Sequence, residues 1–230
     1  MGYVVEFCGL PGSGKSRLAR TVVARLRLRG VPTTDVMARL GPDATRPTRI
    51  ARKLGAVGRG MIEPGSAALV AQIALRSGQD DLRDRIARPA NLLVVRHAIR
   101  DAHRRPGVHV FDQGPRQEWW SAALRANRER VLGMAASDPA ETADLLVRVD
   151  APVELLADRL AARATRQSRL EAVDSSRLRA ELESGNALFD VVCDQWARSP
   201  ATDRPGFLRV DSLDPGAPDR ILAAVVASYF

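Results

Sequence analysis

Gly9-Leu10-Pro11-Gly12-Ser13-Gly14-Lys15-Ser16 fills the pattern GxxxxGK(S/T) without a gap, and its flanks decide its meaning. Tyr3 to Cys8 before it is an apolar, β-rich run. Lys15 to Arg29 after it carries Leu18, Val22, Val23 and Leu26 at i, i+3 and i+4 spacing, the mark of an amphipathic helix. Gly30 stands where a left-handed cap ends such a helix. A strand, a glycine-rich turn and a helix in that order make a phosphate cradle. The glycines let the chain curl until successive N–H groups point at phosphate oxygens, and the helix N-terminus adds its dipole. In that geometry Lys15 reaches the β- and γ-phosphates of a nucleoside triphosphate, and the Ser16 hydroxyl holds Mg²⁺. Gly9, Leu10, Pro11, Gly12, Ser13, Gly14, Lys15, Ser16 and Arg17 are the expected nucleotide-binding residues, with ATP and Mg²⁺ as cofactors.

Downstream, strands alternate with helices. Val31 to Val36, Val108 to Phe111, Leu145 to Val149 and Phe207 to Val210 read as further short strands. The last three close on Asp112-Gln113-Gly114-Pro115, Asp150-Ala151-Pro152 and Asp211. Arg116 to Leu132, Val153 to Ala164, Ser176 to Trp196 and Pro218 to Tyr229 read as helices. Such alternation implies crossovers and a parallel sheet covered on both faces, with ligands beyond the carboxyl ends of the strands. Residues 39–106 are too long for one crossover and break at Gly41-Pro42, Gly55 to Gly60, Pro64-Gly65 and Gly78. They are expected to form an inserted helical region that encloses an acceptor.

The 230 residues suit a single domain, and a hydrophobic fraction of 45% provides a core. The formal net charge of +8 is nearly all arginine, since Lys15 and Lys53 are the only lysines. Acids and bases are interspersed, so the charge names no partner. Cys8 and Cys193 have neither CxxC spacing nor neighbouring histidines, which argues against a metal site; Cys8 reads as a small buried hydrophobe. No run approaches the roughly twenty apolar residues of a membrane span. A cytoplasmic location is the expectation.

The loop and its strand–helix context resemble the P-loop kinases, in particular the nucleoside and nucleotide kinase group that includes thymidylate kinase. The likeness covers residues 3–36 and 108–170, and Val147-Arg148-Val149-Asp150-Ala151-Pro152-Val153-Glu154 with the following Asp158-Arg159-Leu160-Ala161-Ala162-Arg163 is similar to the fourth strand and helix of that group. The resemblance implies a P-loop three-layer α/β sandwich with a five-stranded parallel sheet. It also implies a lid at residues 157–172 whose Arg159 and Arg163 neutralise transferring phosphate; Arg166 and Arg169 fit its pattern less well.

The same resemblance points to two acids. Asp112 ends a strand where such proteins place an acid that orders Mg²⁺, and the alternative is a turn-capping aspartate. In thymidylate kinases an arginine follows at once, whereas here Gln113 does, with Arg116 the nearest substitute for holding an acceptor phosphate. Asp35, near the end of the second strand, stands where related kinases place the carboxylate that takes a hydroxyl proton; again a capping role is the alternative. An acid at 35 without Asp-Arg at 112 favours a hydroxyl acceptor over a nucleoside monophosphate. In the group the loop after the last strand, Asp211 to Pro215, lies beside the adenine.

Other features carry less. Arg46, Arg49, Arg52, Lys53 and Arg59 form a positive stripe that suits a solvated face, an anionic acceptor or nucleic acid, though no aromatics interleave to stack bases. Trp119 and Trp120 are expected in the core, the alternative being that one faces the site and stacks on a planar acceptor, and His97, His103 and His109 have no ligand spacing. Three classes remain: a kinase acting on an anionic or nucleoside-like small molecule, a nucleotide-hydrolysing ATPase working with nucleic acid or a protein, and a non-catalytic nucleotide-binding protein. A GTPase would need (Asn/Thr)-Lys-x-Asp, and neither lysine sits in one. A motor or AAA-type ATPase would usually have a longer chain and would follow Asp112 with a catalytic glutamate, where Gln113 stands instead. The kinase reading leads; a homodimer is compatible with it.

Overall fold

A computed structural model describes residues 1–40, 55, 58, 65–79, 81–138, 143–162, 175–197 and 206–229. Strands β1 (Gly2–Cys8), β2 (Thr33–Asp35), β3 (Gly107–Phe111), β4 (Leu145–Asp150) and β5 (Gly206–Asp211) form one sheet in the order β2-β3-β1-β4-β5. Every pairing is parallel. All seven residues of β1 are buried, as expected of the central strand of a sheet covered on both faces. The expected α/β sandwich with a five-stranded parallel sheet is what the chain forms.

Alternation along β1 sorts the two faces. Tyr3, Val5 and Phe7 pack with Val22 and Leu26 of α1 (Lys15–Leu28) and with Ile221 and Val225 of α9 (Ala217–Tyr229). On the opposite face, Val4 meets Ile99 of α4 (Leu82–His103). Cys8 there meets Trp119 and Trp120 of α5 (Pro115–Ala123) and Phe189 of α8 (Ser175–Ala197). Both tryptophans are core: Trp120 stacks on Phe189 with centroids 4.5 Å apart and donates to the Gly185 carbonyl, and Trp119 donates to Asp138. In the region expected to be a helical insertion, α3 (Ser66–Arg76) and α4 lie among the described residues. Gly65 and Gly78 take left-handed backbone at the breaks before and after α3. The arginine–lysine stripe at 46–59 lies outside the described residues. No described helix is long and apolar enough to cross a membrane.

The helix expected from Arg116 to Leu132 is two. After α5 the chain breaks, and α6 (Arg128–Ala136) starts afresh with the Asn127 side chain accepting from the Arg130 amide. The break is held from outside, because the Asn127 amide donates to the carbonyl of Ser77 at the end of α3. Periodicity cannot register such a tertiary bond, although an asparagine before an apolar stretch is itself a start signal.

Arg148 is 1% exposed on β4, and its burial is costly unless every donor is answered. It reaches Asp150 at 3.0 Å, Asp190 at 3.3 Å and the Asn186 side chain at 2.7 Å, and its guanidinium lies 5.1 Å from the Phe189 ring centre. Arg209 of β5 joins the same Asp150 and Asp190. This network ties α8 to the carboxyl ends of β4 and β5.

Candidate nucleotide and acceptor site

The loop between β1 and α1 has the geometry its glycines imply. A Cβ on Gly9 would lie 2.4 Å from the Val149 carbonyl oxygen of β4, so only glycine lets the loop leave the sheet there. Gly14 takes φ 92°, a left-handed conformation that glycine adopts without strain, and its carbonyl accepts the first turn's bond from Leu18. The loop is closed by the Ser13 amide on the Leu10 carbonyl at 3.1 Å. Ser13 Oγ is buried and has no hydrogen-bond partner among the described residues. An orphaned hydroxyl buried in this glycine-rich loop suits the oxygens of a bound phosphate chain. Lys15 is 8% exposed, with Nζ 3.5 Å from the Leu10 carbonyl, so its ammonium is held over the loop.

A cavity of about 770 Å³ opens from this loop along α1 towards the turn after β5. Gly14, Lys15 and Ser16 line one wall, Arg159 of α7 (Val153–Ala161) another, and Ser212 to Pro215 after β5 a third. Arg159 Nη1 donates to the Gly12 carbonyl at 2.9 Å, so this arginine reaches the loop from the lid side. Arg17 also lines the cavity. Arg163, Arg166 and Arg169 lie outside the described residues, as does most of the expected lid.

The acids lie on the other side of β1. Asp35 ends β2 opposite Val110 of β3, and Asp112 stands just past the end of β3, the neighbour of β1. With strands about 4.8 Å apart, Asp112 is offset by one strand from the loop and Asp35 by two. Asp35 Oδ1 accepts from the Ala38 amide at 2.9 Å and so caps α2 (Val36–Leu40). The capping role set against the catalytic one is therefore present, and it occupies one oxygen of the two. Asp112 is half-buried and has no hydrogen bond or ion pair among the described residues. Arg116, the substitute for the missing arginine, is 6% exposed, and burial lowers its pKa while Glu6 supplies its strongest opposing charge.

Two residues of the site escaped the sequence. Gln117 of α5 accepts the Gly9 amide on its side-chain oxygen at 3.3 Å, tying the first glycine of the loop to the helix that follows β3. Glu6 of β1 is buried beneath that helix and accepts from the Arg116 amide at 2.7 Å. Gly114 provides the room, since a Cβ there would lie 2.3 Å from the Glu6 carboxyl carbon. That close approach explains a glycine where the backbone is extended, at φ −118° and ψ −168°.

Both residues lead to measurable expectations. Gln117→Ala leaves the Gly9 amide without its partner, a loss worth about 1–3 kcal/mol at a buried donor. ATP affinity by calorimetry should fall about tenfold while the fold persists. Glu6 sits where burial lifts its carboxyl from the ordinary 4.5 to about 7, against the lowering effect of the Arg116 charge and the Arg116 and Gln117 amides. Between pH 4.5 and 7 the folded chain keeps a proton that the unfolded chain releases, so stability falls as pH rises through that window. The loss is on the order of 3 kcal/mol, and denaturant titrations at pH 5 and 8 should detect it. Glu6→Gln should flatten that slope.

Comparison with known proteins comes out in the same direction. Residues 4–188 match the family model AAA_33, described as an AAA domain. No curated protein matches the sequence. Among solved structures, the deoxyadenosine kinase of M. mycoides with bound dATP superposes with a TM-score of 0.57 at 12% identity, over 98% of this chain and 100% of that one. The same enzyme with the products dCMP and a flexible dCDP superposes with a TM-score of 0.54 at 12% identity, over 98% and 99% of the two chains. At that identity the likeness concerns the fold, which is that of a P-loop kinase. The match across residues 4–188 takes in the phosphate loop, the sheet strands β1 to β4 and both acids, and on it the chain belongs to the AAA_33 family of P-loop domains.

Proposed function

We propose that the chain is an ATP-dependent phosphotransferase that moves the γ-phosphoryl group to a hydroxyl of a small-molecule acceptor. The observation that carries this reading is the division of the sheet edge about Lys15. A nucleotide-sized cavity opens on the β4–β5 side, and two carboxylates, Asp112 and Asp35, end the strands on the other. A donor in the first space would present its terminal phosphate towards the second. The bound nucleotides of the structurally similar deoxyadenosine kinase support a nucleoside-like acceptor.

Each residue has a role in this scheme. Lys15 and the loop amides bind the β- and γ-phosphates, and Arg159 neutralises the equatorial oxygens as charge builds, a role that Arg163 would share. Ser16 and Asp112 offer a hydroxyl and a carboxylate, the hard oxygen donors that suit Mg²⁺, and among the described residues nothing competes for the Asp112 oxygens. The ion, when bound, would balance negative charge on the β- and γ-phosphate oxygens. Asp35, with Oδ1 committed to its cap, keeps Oδ2 to orient the acceptor hydroxyl and take its proton. Residues 39–106 would wall the acceptor.

The family's AAA description gives an acceptor-free ATPase as the second reading, against which Gln113 stands where a catalytic glutamate would follow the strand acid. An ATP-consumption screen over nucleosides, nucleotides, sugars, amino-sugar antibiotics and 5′-hydroxyl oligonucleotides separates the two. Consumption that requires one acceptor class supports the kinase. Equal consumption with every acceptor and with none supports the ATPase.

A further inference from the structure

The chain's only two cysteines meet across 185 positions of sequence. Cys8 closes β1, Cys193 lies on α8, and their sulfurs are 3.9 Å apart in the core, with exposures of 0% and 3%. Two features set the pair apart from ordinary core thiols. Arg148 Nη1 donates to Cys193 Sγ at 3.9 Å, and its charge acts on Cys8 as well. And Cys8 immediately precedes Gly9, whose amide is held by Gln117 and whose Cα faces the Val149 carbonyl without room for a Cβ. That junction has no slack.

We propose that Cys8 and Cys193 form an oxidisable dithiol, and that closing it to a disulfide switches off nucleotide binding by displacing the first glycine of the phosphate loop. A disulfide needs sulfurs about 2 Å apart, so the two must approach by roughly 2 Å. Cys193 is fixed on a long helix pinned through the Arg148, Asp150 and Asp190 network, so the movement falls on Cys8 and is passed to Gly9. The loop amides then no longer converge on one phosphate chain.

The chemistry is directional. The hydrogen bond with Cys8 lowers the Cys193 pKa, desolvation opposes it, and Arg148 lowers it further, while the same hydrogen bond and burial raise that of Cys8. Glu6 is the acid that faces both sulfurs and opposes ionisation. Cys193 is therefore the attacking thiolate and Cys8 the resolving thiol. With a hydroperoxide as oxidant, the Cys193 thiolate attacks one peroxide oxygen, breaking the O–O bond. Cys193 becomes a sulfenic acid, and the departing hydroxide takes a proton to leave as water. Cys8 then attacks that sulfur, forming the S–S bond and expelling the sulfenic oxygen as a second water. Two thiols and one hydrogen peroxide become one disulfide and two waters. Burial of both sulfurs restricts the reaction to an oxidant of that size.

The experiment treats the full chain with hydrogen peroxide or leaves it reduced, then maps peptides by mass and titrates ATP by calorimetry. The switch is expected to appear as a Cys8–Cys193 cross-linked peptide with at least about a tenfold loss of ATP affinity, recovered on reduction. Cys193→Ser should form no cross-link and keep its affinity through the same treatment. A missing cross-link overturns the proposal, as does a cross-link with unchanged affinity, or an equal loss of affinity in Cys193→Ser. The proposal rests on the nucleotide-site reading. Reduced protein that takes up no ATP would bring both down, whereas a missing cross-link in protein that binds ATP brings down this one alone.

Discussion

Replacing Lys15 with alanine is expected to lower phosphoryl transfer by at least about a thousandfold, because one preorganised charged donor over the reacting phosphate is removed. The ammonium sits over the loop, 3.5 Å from the Leu10 carbonyl. Its position belongs to charge developing at the phosphates, since the apolar packing of the adjoining helix rests on Ala19, Val22, Val23 and Leu26. The melting temperature should therefore shift by no more than about 4 °C. Retained turnover in Lys15→Ala would remove the loop from the chemistry. Loss of turnover with a collapsed melting transition would assign Lys15 to the fold instead.

The second large effect belongs to Asp35. Asparagine has the same shape and is an equally good helix cap, so Asp35→Asn should keep the bond to the Ala38 amide and leave α2 in place. What it removes is the capacity to accept a proton. Turnover is expected to fall about a hundredfold or more, with ATP affinity unchanged within about twofold. Asp35→Ala separates the roles further, since it removes cap and base together. If Asp35→Asn turns over like the parent, the carboxylate is a cap alone, and Asp112 is left as the acid nearest the reacting phosphate.

Much of the donor half of the site was legible because its signal is local. A strand, a glycine-rich turn and a helix announce themselves within residues 3–29, and glycine at 9 and 14 is required by close approach and left-handed backbone. The strand ends were legible for the same reason, each closing on a polar turn such as Asp112-Gln113-Gly114-Pro115. The supporting residues were not. Glu6 sits in a run that reads as an ordinary strand, and only the fold places it under the first turn of α5. Gln117 lies 108 positions from the amide it holds, and Cys193 lies 185 from its partner. Contacts of that span leave no periodic trace. Arg148 is the plainest case: an arginine within an apolar strand reads as an exposed position, yet it is 1% exposed and answered by Asp150, Asp190 and Asn186. The division of Arg116 to Leu132 into two helices was half legible, since Asn127 is a recognisable cap whose tertiary bond to Ser77 is not.

The free main-chain N–H groups between residues 9 and 16, backed by Lys15, are proposed to grip a triphosphate. Calorimetric titration of the purified chain with ATP, with and without Mg²⁺, tests that grip most directly. Saturable binding at one site per chain is expected, strengthened by Mg²⁺ and abolished in Lys15→Ala. No heat of binding in either condition, from a protein shown to be folded by its melting transition, would contradict it.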